Sequence, residues 1–473
     1  MLVPLGILDA QFEPVGLCCG FVFAFEPGWT ADETANLVQR LKQATERVVR
    51  KWPLLAGVPK LLGPNRWAVD VPDNLELVKL LRPLYGFTSI SRSEAYHTAA
   101  GLDAPLPPLS SSSSIFLPEP KLDFLRPSSL PGSLPAVAKA QLPLLHVHAT
   151  SFSDALAVGV SVPHGVFDGA GTALVLRAID AEVHGREWVV PPTLEVNPLL
   201  SSLDKLADDP TIDPAQPLPP ILEGWKSAGD KLVLARLAGN LLWETFWHKS
   251  SQRYLFLRKE LVDGLAAKIK EDAALADEAD SDATFSVHLA YNPRSLLDKY
   301  LPAAARPLPC FDLYPHNAAT PFAPSPSSPL SASDISSIPV ASLALGLRRG
   351  LEAHRTLPTL QAVWRQLKDE PAGLMPDRRP PSLFPSSEPH LTRWLVTNQS
   401  KLGVTELRMP GKEEGKDLPL LAFHLCAVAP ADMDHVITIQ KVAGAGSIVG
   451  ACMRRSRWES IETAVEAMEQ ELV

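Results

Sequence analysis

The run Ser161-Val-Pro-His164-Gly-Val-Phe-Asp168-Gly169 brings an imidazole, a carboxylate and two glycines close together in the chain. Neutral imidazole, with an unperturbed pKa of about 6.5, can take a proton from a hydroxyl as that hydroxyl attacks an acyl donor. It can then return the proton to a departing thiolate, so no nucleophilic Ser or Cys is required. Asp168 could orient the ring or brace the loop that carries it, while Gly165 and Gly169 permit sharp turns and close approach of a substrate. A structural histidine held by hydrogen bonds accounts for the same spacing, and spacing alone favours that reading. Two features weigh the other way. Of the 12 histidines only His164 has an aspartate at the fourth position, and a glycine follows that aspartate.

The elements around the pair strengthen the chemical reading. The stretch from Leu142 to Val162 alternates short β-branched and apolar runs about Ser153-Asp154, which predicts two strands joined by a turn. From Thr172 to His184 the pattern is helical. His164 is therefore expected where a strand ends and a helix begins, a place where a rigid scaffold presents catalytic side chains. Upstream, Thr30 and Glu33 have capping-box spacing, and Leu37, Leu41, Ala44 and Val48 recur at helical intervals, so a helix is expected to about Arg50. Further on, helices are expected over 221–248, 260–276 and 458–472, and strands over 285–291 and within 422–439. Strands and helices mix without a strict βαβ rhythm, pointing to an α/β or α+β protein of two layered domains.

Length points the same way, because 473 residues exceed what one hydrophobic core comfortably serves. The 46 prolines cluster at 105–135, 191–220 and 307–339, and such stretches read as loops and crossovers. The middle cluster divides the chain into an N-terminal domain over 1–195, a crossover over 196–222 and a C-terminal domain over 223–473. A formal net charge of -9 without a long Lys/Arg run argues against nucleic acid as a partner. No apolar stretch reaches the ~18 residues of a spanning helix, so no membrane partner is expected. Five cysteines without zinc or redox spacing, and 39 initial residues free of Lys and Arg, suggest a reduced protein of the cytoplasm. No cluster of His, Cys and carboxylates has metal-site spacing, so no metal is expected. Gly444-Ala-Gly446 is too short for a phosphate loop, and Trp52, Trp225, Trp243, Trp247 and Trp364 read as core or groove residues.

Several segments, taken in order, resemble the BAHD acyltransferase superfamily, in particular its fungal members. His164-Gly-Val-Phe-Asp168-Gly169 resembles the family's His-x-x-x-Asp-Gly motif, and Phe152 to Ser161 resembles the strand-turn-strand that leads into it. Lys51-Trp-Pro-Leu-Leu-Ala-Gly57 is similar to the Pro-Leu-Leu-Ala-Gly segment. Tyr291-Asn-Pro-Arg294-Ser resembles the strand ending in Arg, and His316-Asn317-Ala-Ala-Thr320 the Gly-Asn turn. The resemblance implies two chloramphenicol-acetyltransferase-like domains, each a mixed β-sheet with flanking helices, and an active channel at their interface. It implies acyl-CoA as co-substrate, with acetyl-CoA favoured, no permanently bound cofactor, a small-molecule alcohol acceptor and a monomer. His164 would be the general base. Asp168 would turn away from substrate to pair with Arg294, and with Gly169 the three would support the site. Thr397 and Asn398 would line the channel or, in the case of Thr397, donate to the oxyanion of the tetrahedral intermediate.

The chain departs from the family at its Asp-Phe-Gly-Trp-Gly loop, where Glu406-Leu-Arg408-Met-Pro-Gly411 stands instead, and Gln399 occupies a position where Trp is common. Two other readings of the same fold stay open: a non-transfer reaction such as cyclisation or condensation, and small-molecule binding without catalysis. Against condensation, Pro163 stands where the condensation motif usually has a first histidine.

Overall fold

The computed structural model describes residues 1–10, 12–63, 66–111, 113–212, 225–227, 250–275, 287–301, 308–318, 320–322, 340–369, 383–385, 394–428 and 436–471. Its first large sheet is built on the apolar run that holds Cys18 and Cys19. That run forms the strand Gly16–Ala24, buried along almost its whole length. Antiparallel neighbours flank it, Ala155–Pro163 on one side and Leu420–Val428 on the other. His146–Ser151 and Gly86–Ser91 complete a five-stranded sheet, the last pair parallel. Burial on both faces explains why these strands read as near-continuous apolar runs.

Helices Ala31–Lys51 and Gly169–Val183 pack together and share a core with this sheet. The first starts where its capping box predicts. The Thr30 hydroxyl accepts from Glu33 N (3.2 Å), and the Glu33 carboxylate accepts from Thr30 N (2.6 Å). Leu37, Leu41, Ala44 and Val48 are all buried on one face.

A second sheet of seven strands has the order Thr320–Phe322, Val287–Tyr291, Trp394–Asn398, Val436–Val442, Gly446–Met453, Ser251–Arg258, Ile115–Leu117. Helices Lys259–Leu275 and Arg455–Glu471 cover part of it through Leu261, Val465 and Trp458. The two large sheets exchange strands. Leu420–Val428, from late in the chain, extends the first sheet, and Ile115–Leu117, from early in the chain, edges the second. A mixed α/β architecture with two mixed sheets and flanking helices is therefore what the chain adopts, as the alternation of elements predicts.

Several local expectations change. The proline-rich stretch 105–135 is more than loop: it holds the strand Ile115–Leu117 and buries Leu109, Leu117, Phe124, Leu125 and Leu134. In the 191–220 cluster, Pro198–Ala207 is a helix. Asn197 caps it, Pro198 sits in its first turn, and Leu199, Leu203 and Leu206 bury against Trp364 and Phe311. Proline marks a helix start here, not a break. The helix expected over 221–248 lies outside the described residues except for Trp225–Ser227. That triplet is a strand paired with Leu383–Pro385, so strand pairing overrides the helical pattern there. Of the tryptophans, Trp52 and Trp364 are buried core residues as expected.

Replacing Thr30 by Ala removes one arm of the capping box and should destabilise the protein by about 1 kcal/mol in a urea titration, with the slope unchanged.

Candidate active site

Why a sharp corner forms at His164 follows from what ends the strand and what starts the helix. Ala155–Pro163 closes on Pro163, which has no N–H to continue the ladder. Helix Gly169–Val183 starts three residues earlier than its periodicity suggests, because the Asp168 carboxylate caps it by accepting from Gly171 N (2.9 Å). Gly171 must remain glycine for a second reason: a Cβ there would stand 1.8 Å from the Pro315 carbonyl oxygen, so the helix start packs directly on the backbone of the second half.

Asp168 points away from the imidazole and into an ion pair. Arg294 donates to both its oxygens, Nη1 to Oδ2 at 2.9 Å and Nη2 to Oδ1 at 3.0 Å. Ala318 N also donates to Oδ2, at 3.1 Å. Nη2 of Arg294 reaches the carbonyls of Tyr314 (3.1 Å) and His316 (2.7 Å) as well. Asp168 is 5% exposed and Arg294 1% exposed, so this is a buried, bidentate pair joining the two halves of the chain.

His164 itself is half-buried. Its N–H donates to Val15 O at 2.9 Å, and its carbonyl accepts from Asn317 Nδ2 at 2.7 Å. The imidazole stacks on Phe12, with ring centroids 4.1 Å apart and planes 4° from parallel. Burial lowers its pKa below the ordinary imidazole value, while the nearby Asp168 charge works in the other direction. The ring is accordingly neutral at pH 7, the form a general base needs.

Of the site residues expected from sequence, His164, Asp168, Gly169 and Arg294 come together. Thr397 does not join them by a hydrogen bond among the described residues; it is half-buried, in parallel register with Thr438. Asn398 is exposed, and its side-chain oxygen accepts from Ser400 N (3.0 Å), a local turn contact. The next residue, Gln399, is the one that reaches across. A Cβ on Gly169 would lie 3.0 Å from its Nε2, so the end of the Trp394–Asn398 strand abuts the start of the site helix. The segment in place of the expected loop motif also braces that helix. Val404, Leu407 and Met409 are buried in the main core, and Arg408 N donates to Asp180 at 2.9 Å.

Two residues at the site, Asp9 and Phe12, were not legible as such in the sequence. Asp9, 1% exposed, accepts from Gly6 N (2.6 Å) and from Asn317 N (2.8 Å) and Nδ2 (2.9 Å). Burial pushes its carboxyl up to about 7 despite those hydrogen bonds. The available signal was a lone charge in the otherwise apolar N-terminal run from Leu2 to Ala10. His316 is a buried neighbour whose Nδ1 donates to Val166 O (3.0 Å), with a pKa lowered by burial to about 4.

No family model matches the chain. Over 143 residues (30% of this chain, 26% of the relative) it is 29% identical to acetyltransferase BOT5 of Botryotinia fuckeliana. Over 246 residues (51% of this chain, 46% of the relative) it is 28% identical to acetyltransferase pyiB of Pyricularia grisea. The chain thus spans less than half the length of these curated relatives. In fold, the likeness runs the whole length: the structure of F. sporotrichioides TRI101 complexed with coenzyme A and T-2 superposes with a TM-score of 0.57 at 14% identity, covering 98% of this chain and 97% of that one. The mixed α/β fold expected from the sequence is the fold observed, and it is shared with that structure over nearly the whole chain.

Removing one partner of the Asp168–Arg294 pair leaves a buried charge uncompensated. Arg294→Met should destabilise the fold by ~3–5 kcal/mol in chemical denaturation, and adding Asp168→Leu should recover part of that loss.

Proposed function

We propose that this protein is an acyl-CoA-dependent O-acyltransferase, with His164 as general base, acetyl as the favoured acyl group and a hydroxylated secondary-metabolite-like small molecule as acceptor. One observation carries the reading. The half-buried imidazole of His164 lies stacked on Phe12 at the meeting of the two halves, where burial favours its neutral form, while Asp168, the other half of the motif, is engaged by Arg294. The likeness to fungal acetyltransferases and to a fold solved with coenzyme A and T-2 bound supports both the donor and the acceptor class.

In this account the acceptor hydroxyl attacks the thioester carbonyl and gives its proton to Nε2 of His164, because Nδ1 is shielded from solvent. A tetrahedral intermediate forms, its C–S bond breaks, and His164 returns the proton to the thiolate to release free coenzyme A. The base acts directly, with no covalent acyl-enzyme. Thr397 lines the channel or donates to the oxyanion of the intermediate, and Asn398 lines the channel at the turn its side chain holds. Asp168, Gly169 and Arg294 keep the corner rigid, so the base stays within reach of the attacking oxygen. We place the N-terminal domain at 1–195 and the C-terminal domain at 223–473 and read the protein as a cytoplasmic monomer. Among the described residues no helix is long and apolar enough to cross a membrane.

His164→Ala should lower kcat by ~10²–10⁴-fold while coenzyme A binding, followed by calorimetry, changes little. Near-wild-type turnover in that variant removes the base assignment. In the wild type, log kcat/KM should rise with pH to a plateau through an apparent pKa below the usual imidazole value. The sign follows from the base form being the active one and from burial disfavouring the charged ring.

A further inference from the structure

Both backbone polar groups of His164 are held, the N–H by a short stretch near the N-terminus and the carbonyl by a side chain that this stretch fixes in turn. Its N–H donates to Val15 O (2.9 Å). Its carbonyl accepts from Asn317 Nδ2 (2.7 Å), and that amide is itself fixed by Asp9, whose Oδ1 accepts from Nδ2 (2.9 Å) and from Asn317 N (2.8 Å). Between these anchors the chain is knitted to itself: Phe12 N donates to Asp9 O (3.1 Å), and Val15 N to Phe12 O (3.0 Å). The turn so formed lays the Phe12 ring flat on the imidazole, 4.1 Å away and within 4° of parallel.

Each part alone has a bland explanation. A buried carboxylate with three donors is a satisfied core residue, and an aromatic beside a histidine is common packing. Together they leave the imidazole little freedom. The backbone of His164 is pinned on both sides of its Cα, and the stacked ring sets the plane in which its nitrogens point. Asn317 comes from the second half of the chain, so the same bracket ties the orientation of the ring to the contact between the halves.

We infer that Asp9 and Phe12 are positioning residues for His164, Asp9 through Asn317 and the His164 carbonyl, Phe12 through the face of the ring. This deepens, and for its catalytic consequence rests on, the reading of His164 as the base. A base displaced by a fraction of an ångström loses alignment with the hydroxyl it serves. The loss falls on the chemical step, not on donor binding.

The test uses the full-length protein and three variants: Asp9→Asn, which keeps the size of the side chain but changes its donor and acceptor pattern; Phe12→Leu, which keeps apolar bulk but removes the ring; and Phe12→Tyr, which restores the ring. Acetyl transfer is measured alongside NMR of protein labelled at histidine Cε1, with His164→Gln to assign the His164 signal. Phe12→Leu and Asp9→Asn should lower kcat by up to ~100-fold with the KM for acetyl-CoA within about twofold. Phe12→Tyr should recover most of that loss. In Phe12→Leu the His164 signal should lose the ring-current shift of the stacked aromatic and titrate closer to a free imidazole. Unchanged kcat in both Asp9→Asn and Phe12→Leu overturns the inference. So does a fall in kcat that leaves the His164 signal and its titration as in the wild type. If His164→Gln still turns over while Phe12→Leu displaces the His164 signal, the base assignment fails and the positioning stands. Should Asp9→Asn not fold by circular dichroism, the Phe12 pair decides the outcome alone.

Discussion

The buried pair of Asp168 and Arg294 is the contact on which the arrangement of the site depends. Its carboxylate accepts four hydrogen bonds: two from the guanidinium fork, one from the N–H of Gly171 at the helix start and one from the N–H of Ala318. One side chain thereby caps the site helix, neutralises an arginine from the second half and anchors the segment that carries His316 and Asn317. A charge pair this deep is weak evidence for net stability, since apolar replacements of similar shape can do as well. Its value lies in geometry, because a bidentate pair has one good arrangement and an apolar contact has many. Asp168 is fully engaged by these partners, and on the proposed reading the imidazole four residues earlier is the member of the motif left for chemistry.

The exchange of strands between the two sheets reinforces this. Leu420–Val428 pairs along Gly16–Ala24, next to the strand that ends at His164, while Ile115–Leu117 pairs with Ser251–Arg258. Pulling the halves apart would break ladder hydrogen bonds in both sheets as well as the ion pair. The first sheet's core accordingly includes Leu407, Met409, Leu418 and Phe423 from late in the chain. Two parts that cannot easily separate would hold the proposed base in fixed register with bound substrates, as the proposed direct transfer requires.

Local features were legible in the sequence wherever the information is itself local. The helix Ala31–Lys51 announces itself by Thr30, Glu33 and a 3.6-residue stripe, and the turn at Ser153-Asp154 by the alternation on either side. The His164 corner could be read because proline, glycine and a capping aspartate follow one another in the chain. The pairing of Asp168 with Arg294 is legible only by resemblance, since nothing in the 126-residue separation encodes it visibly. What stayed hidden is what distant partners decide. Ile115–Leu117 is a strand because Ser251–Arg258 offers it an edge, although its surroundings are rich in proline and serine. Asn197 and Pro198 open a helix inside what composition marks as a crossover. The stacking of Phe12 on His164 and the bond from Asp9 to Asn317 depend on loops meeting in space. Segment 406–411, which lacks the loop motif of the resembling family, braces the site helix through Arg408 N and buried Leu407 and Met409. The missing letters did not mean a missing contact.

Whether this junction moves an acyl group from coenzyme A to a hydroxyl is decided by mass balance in the wild-type protein: acetyl-CoA and a panel of hydroxylated small molecules are incubated with it, and free thiol and acetylated product are quantified together. One thiol should be released for each acetylated acceptor, with the added mass on oxygen. Thiol released without acylated product, or conversion of an acceptor without consumption of acetyl-CoA, would contradict that transfer.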